Sequence, residues 1–228
     1  MKTIFLQITS SIEETAPVTD GSDVNMLELI MKGGWIMIPL FILSFVTVYI
    51  LIERYLSIRA AAKDPSQFVE KVKEAVSKGD IAGAKSLCEK EDTPVARMIG
   101  KGIQRLGSPM STIEATIENV AKIEVNRLEK NLSALATISG AGPMIGFLGT
   151  VLGMIKAFMS IAAVEGQISP SKLAGGIYEA MVTTAAGLIV GVIAYIAYNY
   201  LVALIQKIVH GIEQSAIEFM DLLQEPHQ

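Results

Sequence analysis

The feature that most constrains this chain is a long uncharged stretch near its C-terminal end. Residues 180–206 form a run of 27 residues without Asp, Glu, Lys or Arg, between Glu179 and Lys207. An α-helix needs about 20 apolar residues to cross the hydrocarbon core of a bilayer. The run therefore predicts a transmembrane helix, and a composition of 51% hydrophobic and 18% charged residues favours a membrane protein over a soluble one.

Two further uncharged runs predict two more spans. The first, residues 33–52, has 20 residues with Trp35 and Tyr49 near its ends, where aromatic side chains suit the membrane interfaces. The second, residues 131–155, has 25 residues, and eight more uncharged residues follow Lys156. We predict an all-α membrane protein with three spans, at 33–52, 131–164 and 173–206, and a short outer loop at 165–172.

The segment 53–130, between the first and second spans, is polar. It holds 14 of the 19 Lys and Arg residues and 12 acidic residues, and shows no β pattern, which predicts a helical domain outside the membrane. Helix starts are predicted at Asp64 and Thr93, each of which precedes a proline, and at a capping box that begins at Ser111. Because no glycine or proline lies between this box and Gly140, we expect one unbroken helix into the second span.

The two ends of the chain are predicted to differ. Residues 1–32 are expected to form an uncleaved external segment, with a short interfacial helix at 26–31. Residues 207–228 alternate apolar and polar positions at helical intervals, and are expected to extend the third span as a helix.

Basic residues near the span ends predict the orientation, because the cytoplasmic side of a membrane protein carries more Lys and Arg. Seven lie at one end of the spans and three at the other. The first group is Arg54, Arg59, Lys63, Lys122, Arg127, Lys130 and Lys207, and the second is Lys32, Lys156 and Lys172. The domain at 53–130 and the C-terminus are therefore predicted to be cytoplasmic, with the N-terminus outside.

Several function classes have no support in the sequence. Cys88 is the single cysteine and the histidines number 2, so neither a disulfide framework nor a metal site is expected. A net charge of −4 does not favour nucleic-acid binding. No nucleophile–base pair or phosphate loop is recognisable, and we expect neither an enzyme nor a bound cofactor.

The second and third spans carry three pairs of glycines at GxxxG spacing. They are Gly142 with Gly146, Gly149 with Gly153, and Gly187 with Gly191. Small residues at this spacing let membrane helices approach closely. Taken alone, the glycines indicate helix packing rather than a functional site.

Polar residues on the same two spans fall at matched depths. Counted from the loop at 1.5 Å per residue, Lys156 and Glu179 lie roughly 10–12 Å down, and Thr150 and Thr184 roughly 18–21 Å down. Charged residues within a membrane often face a bundle interior or a water-filled path. For each threonine, a simpler interpretation is that its hydroxyl bonds to a carbonyl of its own helix. For Lys156 two interpretations stay open: the side chain pairs with Glu179, or it extends to the headgroups.

Two of these segments resemble the signature helices of the MotA/TolQ/ExbB proton-channel family. They are TISGAGPMIGFLGTVLGMI at 137–155 and GGIYEAMVTTAAGL at 175–188. The resemblance covers about residues 26–220 and is closest to the ExbB and TolQ members. It implies a bacterial inner-membrane ring of five such chains around two single-span ExbD- or TolR-like partners. A membrane aspartate of the partner is expected to carry protons. In ExbB systems the proton-motive force then energises TonB-dependent outer-membrane transport.

The resemblance also implies roles for single residues. It places the family's pore-lining threonines at Thr150 and Thr184 and its glutamate at Glu179. Lys156, where an uncharged residue is expected, and Thr183, an additional hydroxyl, depart from the pattern. By helical geometry Thr183 lies nearer the face of Glu179 than Thr184 does, so the choice of Thr184 rests on the resemblance. A TolQ-type subunit and a non-conducting membrane scaffold are the alternative functions.

Overall fold

The protein is described by a computed structural model of residues 33–63, 65–162 and 170–224, with residues 170–172 described by their backbone alone. Regular structure in these ranges is α-helical throughout, as predicted. The helices are α1 (Met37–Ala61), α2 (Ser66–Ser77), α3 (Ile81–Lys90), α4 (Pro94–Ile103), α5 (Met110–Leu128), α6 (Leu132–Ala162) and α7 (Pro170–Gln224). Predictions for 1–32, for Asp64, for 165–169 and for 225–228 lie outside the described residues.

Three helical segments are long and apolar enough to cross a membrane, and they belong to α1, to α6 and to α7. The prediction of three membrane-spanning helices is confirmed. The third span and the predicted C-terminal helix form one continuous helix, α7, of 55 residues. Residues 170–172, predicted to be loop, form its first turn, because Pro170 suits the first position of a helix.

The membrane-spanning part is built on α6, which packs antiparallel against the N-terminal part of α7. α1 packs mainly on α7, where the rings of Tyr55 and Tyr200 stack with centroids 6.3 Å apart. The opposite side of α1 leaves large apolar side chains uncovered. They include Trp35, Ile38, Phe41, Phe45, Tyr49 and Ile52. An exposed apolar surface of this kind is typical of a membrane or protein interface.

The polar segment after α1 folds around the C-terminal part of α7. Helices α2 to α5 and the end of α7 share one apolar core, which includes Val72, Met98, Ile99, Ile117, Ile212 and Phe219. Cys88 lies in this core, and burial raises the pKa of its thiol to about 11. The thiol is therefore protonated and unreactive at neutral pH.

A buried carboxylate joins two helices of this domain. Glu124 of α5 accepts a hydrogen bond from Arg97 of α4 at 2.7 Å and another from Arg127 at 3.3 Å. The hydrogen bond with Glu124 raises the pKa of Arg97, so this guanidinium stays charged over the physiological range. Of the two partners only Arg97 belongs to the other helix, so the Arg97–Glu124 bond is the contact that restricts how α4 and α5 pack.

The predicted helix starts meet different outcomes. The Thr93 hydroxyl accepts a hydrogen bond from the Ala96 amide at 3.2 Å, which confirms the predicted cap of α4. The capping box at Ser111 is wrong, because α5 already begins at Met110 after Pro109, whose side chain makes no capping bond. Proline fixes its φ near the helical value and starts the helix one residue before the box.

The prediction of an unbroken helix into the second span is also wrong. α5 ends at Leu128 and α6 begins at Leu132, with Asn131 between them at a φ of 64°. A left-handed residue interrupts a right-handed helix, and asparagine adopts this conformation more readily than most residues. The buried guanidinium of Arg54 in α1 donates to the Arg127 carbonyl at 3.2 Å, which satisfies an acceptor at the end of α5.

Candidate functional site

The two helices that carry the predicted site touch through their glycines. All four glycines predicted on α6 are buried, and the glycines of α7 lie opposite them. A Cβ added at Gly187 would lie 2.6 Å from the Gly142 carbonyl oxygen and 2.8 Å from the Gly146 Cα. A Cβ at Gly191 would lie 2.6 Å from Pro143 Cδ, and one at Gly153 would lie 3.0 Å from the Cβ of Ala180. The predicted packing glycines thus bring the two backbones together.

Gly187→Ala is expected to weaken the contact between α6 and α7. The added methyl group meets backbone atoms, which cannot rotate away, so the loss should be on the order of 1–3 kcal/mol. Thermal unfolding in detergent measures it. Gly140→Ala is the matched control, because a Cβ there meets nothing within 4 Å and alanine is the better helix former. Equal melting temperatures for the parent and Gly187→Ala would contradict this packing.

Thr150 and Thr184 meet between these helices. Their hydroxyl oxygens are in direct hydrogen-bond contact. Thr150 also reaches the Ala180 carbonyl on α7, and Thr184 reaches the Gly146 carbonyl on α6, each at 3.1 Å. Two hydroxyl protons thus serve three contacts, so the pair has alternative hydrogen-bond arrangements without any movement of the backbone.

Thr183 has a different environment from Thr184. Its side chain is only 1% exposed, and its hydroxyl donates to the Ala180 carbonyl of its own helix at 2.8 Å. A Cβ added at Gly149 would overlap the Thr183 side chain. The structure therefore places Thr184 opposite Thr150 and packs Thr183 against a glycine.

Lys156 and Glu179, the two charged residues predicted to lie at equal depth, are in contact and form the charged layer of the site. Lys156 Nζ lies 3.2 Å from Glu179 Oε2, which links the end of α6 to the start of α7. The lysine side chain is 70% exposed in the single chain, and the glutamate side chain is 25% exposed. The pair therefore lies at the edge of the helix packing, where the long lysine stem contacts the surroundings.

Two contacts made near the opposite ends of α1 were not found by sequence reasoning. Gly34 lies beside the carboxylate of Glu179, and Arg54 supports the end of α5 as described above. The signal for Gly34 was the adjacent Gly33–Gly34 pair directly before an apolar run, which is typical of a turn. Arg54 had no signal beyond its position at the end of a span. Within the described ranges, no group of three or more His, Cys, Asp or Glu residues is placed to hold a metal ion.

These features define a multi-pass helical membrane protein that keeps hydroxyl and charged side chains between two closely packed spans. The family model described as the MotA/TolQ/ExbB proton channel family matches residues 90–214, which is more than half of the chain and includes both threonines. The chain belongs to the MotA/TolQ/ExbB proton channel family. The resemblance found in the sequence is thereby confirmed.

Similar curated proteins carry both ExbB and TolQ names. The putative biopolymer transport protein ExbB-like 1 of Synechocystis is 28% identical over 212 residues, covering 90% of this chain and 83% of that protein. The biopolymer transport protein exbB1 of Vibrio cholerae is 30% identical over 174 residues, covering 74% of this chain and 75% of that protein. The Tol-Pal system protein TolQ of Pseudomonas aeruginosa is 27% identical over 199 residues, covering 82% and 86%.

Proposed function

We propose that this protein is a proton-channel motor subunit of the bacterial inner membrane. With an ExbD- or TolR-like single-span partner, it uses the proton-motive force to energise TonB-dependent transport across the outer membrane. The observation that supports this most directly is the Thr150–Thr184 pair, which holds two hydroxyls between the packed spans of a proton-channel family member.

The chemistry of the pair suits a passing proton carrier. A hydroxyl both donates and accepts a hydrogen bond, so it can solvate a carboxylate, a carboxylic acid or a water molecule in turn. The two hydroxyls share three hydrogen-bond contacts, of which two are to backbone carbonyls. A partner aspartate that moves past them would find a donor when charged and an acceptor when protonated. Thr150 and Thr184, with Glu179, are therefore proposed to line the proton path.

A ring of subunits follows from the same proposal. In the described part of one chain, the packed spans α6 and α7 enclose no polar path, so several copies would be needed to surround the partner helices. We propose five copies, with α6 and α7 inside and α1 against lipid. The N-terminus is proposed to be periplasmic and the C-terminus cytoplasmic. Native mass spectrometry of the detergent-solubilised protein should show a cyclic oligomer. A stable monomer under these conditions would contradict the ring.

The proton-conducting role is tested by flux. The chain is co-purified with its single-span partner and reconstituted into liposomes, and the internal pH is followed after a proton gradient is imposed. Flux above that of the Thr150→Val variant supports the proposal. Equal flux in the parent, the variant and empty liposomes would instead favour a non-conducting scaffold.

A TolQ-type role is the second candidate, because a relative at 27% identity is named as a Tol-Pal system protein. The two roles separate in complementation. An ExbB-type subunit restores TonB-dependent uptake to a host that lacks its own ExbB and TolQ, whereas a TolQ-type subunit restores resistance to detergents. The chain is expected to restore uptake more fully than detergent resistance, and the reverse result would assign it to the Tol role.

A further inference from the structure

The turn that leads into α1 lies directly against the carboxylate of Glu179. Gly34 has a φ of 67°, in the left-handed region that glycine adopts without steric cost. A Cβ added at Gly34 would overlap Glu179 Oε1 and lie 3.3 Å from its Cδ. The carboxylate thus occupies the space that a side chain at position 34 would need.

The other oxygen of the same carboxylate contacts a second helix. Glu179 Oε2 accepts a hydrogen bond from Lys156 Nζ of α6 at 3.2 Å. One side chain of α7 therefore touches both α6 and the segment that begins α1. The beginning of α1, the end of α6 and the beginning of α7 meet at this carboxylate.

α1 itself brings no negative charge to this place. Its first turn contains no acidic residue, and its N-cap residue, Ile36, makes no side-chain capping bond. The amide groups of a first helical turn have no partners within the helix and carry a partial positive charge. The amides of Met37 and Ile38 donate to the carbonyls of Gly34 and Trp35, and the carboxylate of Glu179 lies beside Gly34 in the same turn.

We propose that Gly34 is a positioning residue for Glu179, and that the three residues Gly34, Lys156 and Glu179 form a clamp that ties the three spans together at this end. A side chain at position 34 requires the end of the Glu179 side chain to move aside, and this movement weakens its contact with Lys156. This role concerns the assembly of the three helices within one chain. It goes beyond proton conduction and does not rest on it.

The test compares one substitution in two backgrounds. Gly34→Ala is introduced into the parent chain and into a chain that carries Lys156→Met and Glu179→Ala, and thermal unfolding of each full-length protein is measured in detergent. In the parent, Gly34→Ala should lower the melting temperature by more than the shift caused by backbone strain alone. In the second background the carboxylate is absent, so only the strain should remain.

The strain alone is measured at Gly79. Its φ is 74°, close to that of Gly34, and a Cβ there meets nothing within 4 Å. Gly79→Ala should give the same melting shift in both backgrounds, because it is in the cytoplasmic domain and far from the clamp. Gly34→Ala should match this shift only when Glu179 is gone.

Two outcomes would overturn the inference. One is an equal shift for Gly34→Ala with and without Glu179, which would reduce the role of Gly34 to its own backbone conformation. The other applies if Gly34→Ala in the parent yields no folded protein. Failure of the same substitution to fold in the background without the carboxylate would then refute the clamp, whereas recovery of folding there would support it. Since no partner and no proton gradient are used, neither outcome bears on the proposed conduction.

Discussion

Lys156→Met is expected to destabilise the protein by on the order of 3 kcal/mol in the membrane or in detergent micelles, and to weaken its assembly. The substitution keeps the length of the stem and leaves Glu179 without the partner that lies 3.2 Å away. An uncompensated charge in an apolar surrounding costs about this much. Lys156→Met combined with Glu179→Gln should recover most of the loss, because removal of both charges is far milder than removal of one.

A water-exposed ion pair of the same chain is the matched control. Lys122 lies 2.6 Å from Glu118 one helical turn away, and both side chains are more than 60% exposed. Lys122→Met should change stability by no more than about 0.5 kcal/mol, since exposed pairs contribute little. If Lys156→Met melts like the parent, the contact with Glu179 does not contribute to stability, and Lys156 extends to the headgroups.

Thr150→Val and Thr184→Val should each abolish energised function while the protein stays assembled. Valine has nearly the volume of threonine and lacks only the hydroxyl. A hydrogen bond between membrane helices contributes on average about 0.6 kcal/mol, which is too little to separate helices that also pack through their glycines. The measurements are TonB-dependent uptake in complemented cells and the oligomer size of each purified variant.

Thr183→Val provides the comparison for this pair. Its hydroxyl bonds within its own helix, and its side chain is buried against Gly149. Loss of that hydroxyl should leave most of the function in place. A larger functional loss for Thr183→Val than for Thr184→Val would show that the wrong threonine has been assigned to the proton path.

The sequence was sufficient to predict the three spans and the matched depths of the polar residues on α6 and α7. Helix length in a bilayer is fixed by the thickness of the hydrocarbon core, so uncharged runs predict spans directly. Because α6 and α7 follow each other in the chain, residues at equal distances from their connection lie at equal depth. The structure brings Thr150 to Thr184 and Lys156 to Glu179. The counting predicted an equal depth for the members of each pair. The contact of Lys156 with Glu179 was one of two open alternatives, and the choice of Thr184 over Thr183 came from the family resemblance.

The sequence was not sufficient where a single backbone conformation decides the result. Asn131 follows polar residues in a segment whose pattern is that of a continuous helix, yet its φ is left-handed, and Leu128 and Leu132 on either side of it pack into one apolar cluster. The contact between Gly34 and Glu179 joins residues that are far apart in the chain, so no local pattern predicts it. Local propensity carries little information about such tertiary contacts.

The continuity of α7 has a mechanical consequence. With 55 residues at 1.5 Å each, it is about 80 Å long and runs from Glu179 past Thr184 to Phe219 in the core of the helical domain. α6, which carries Thr150, is separated from α5 by the break at Asn131. We therefore expect α7 to transmit a displacement beside the threonines into the helical domain as one continuous element, and the connection at Asn131 to bend instead.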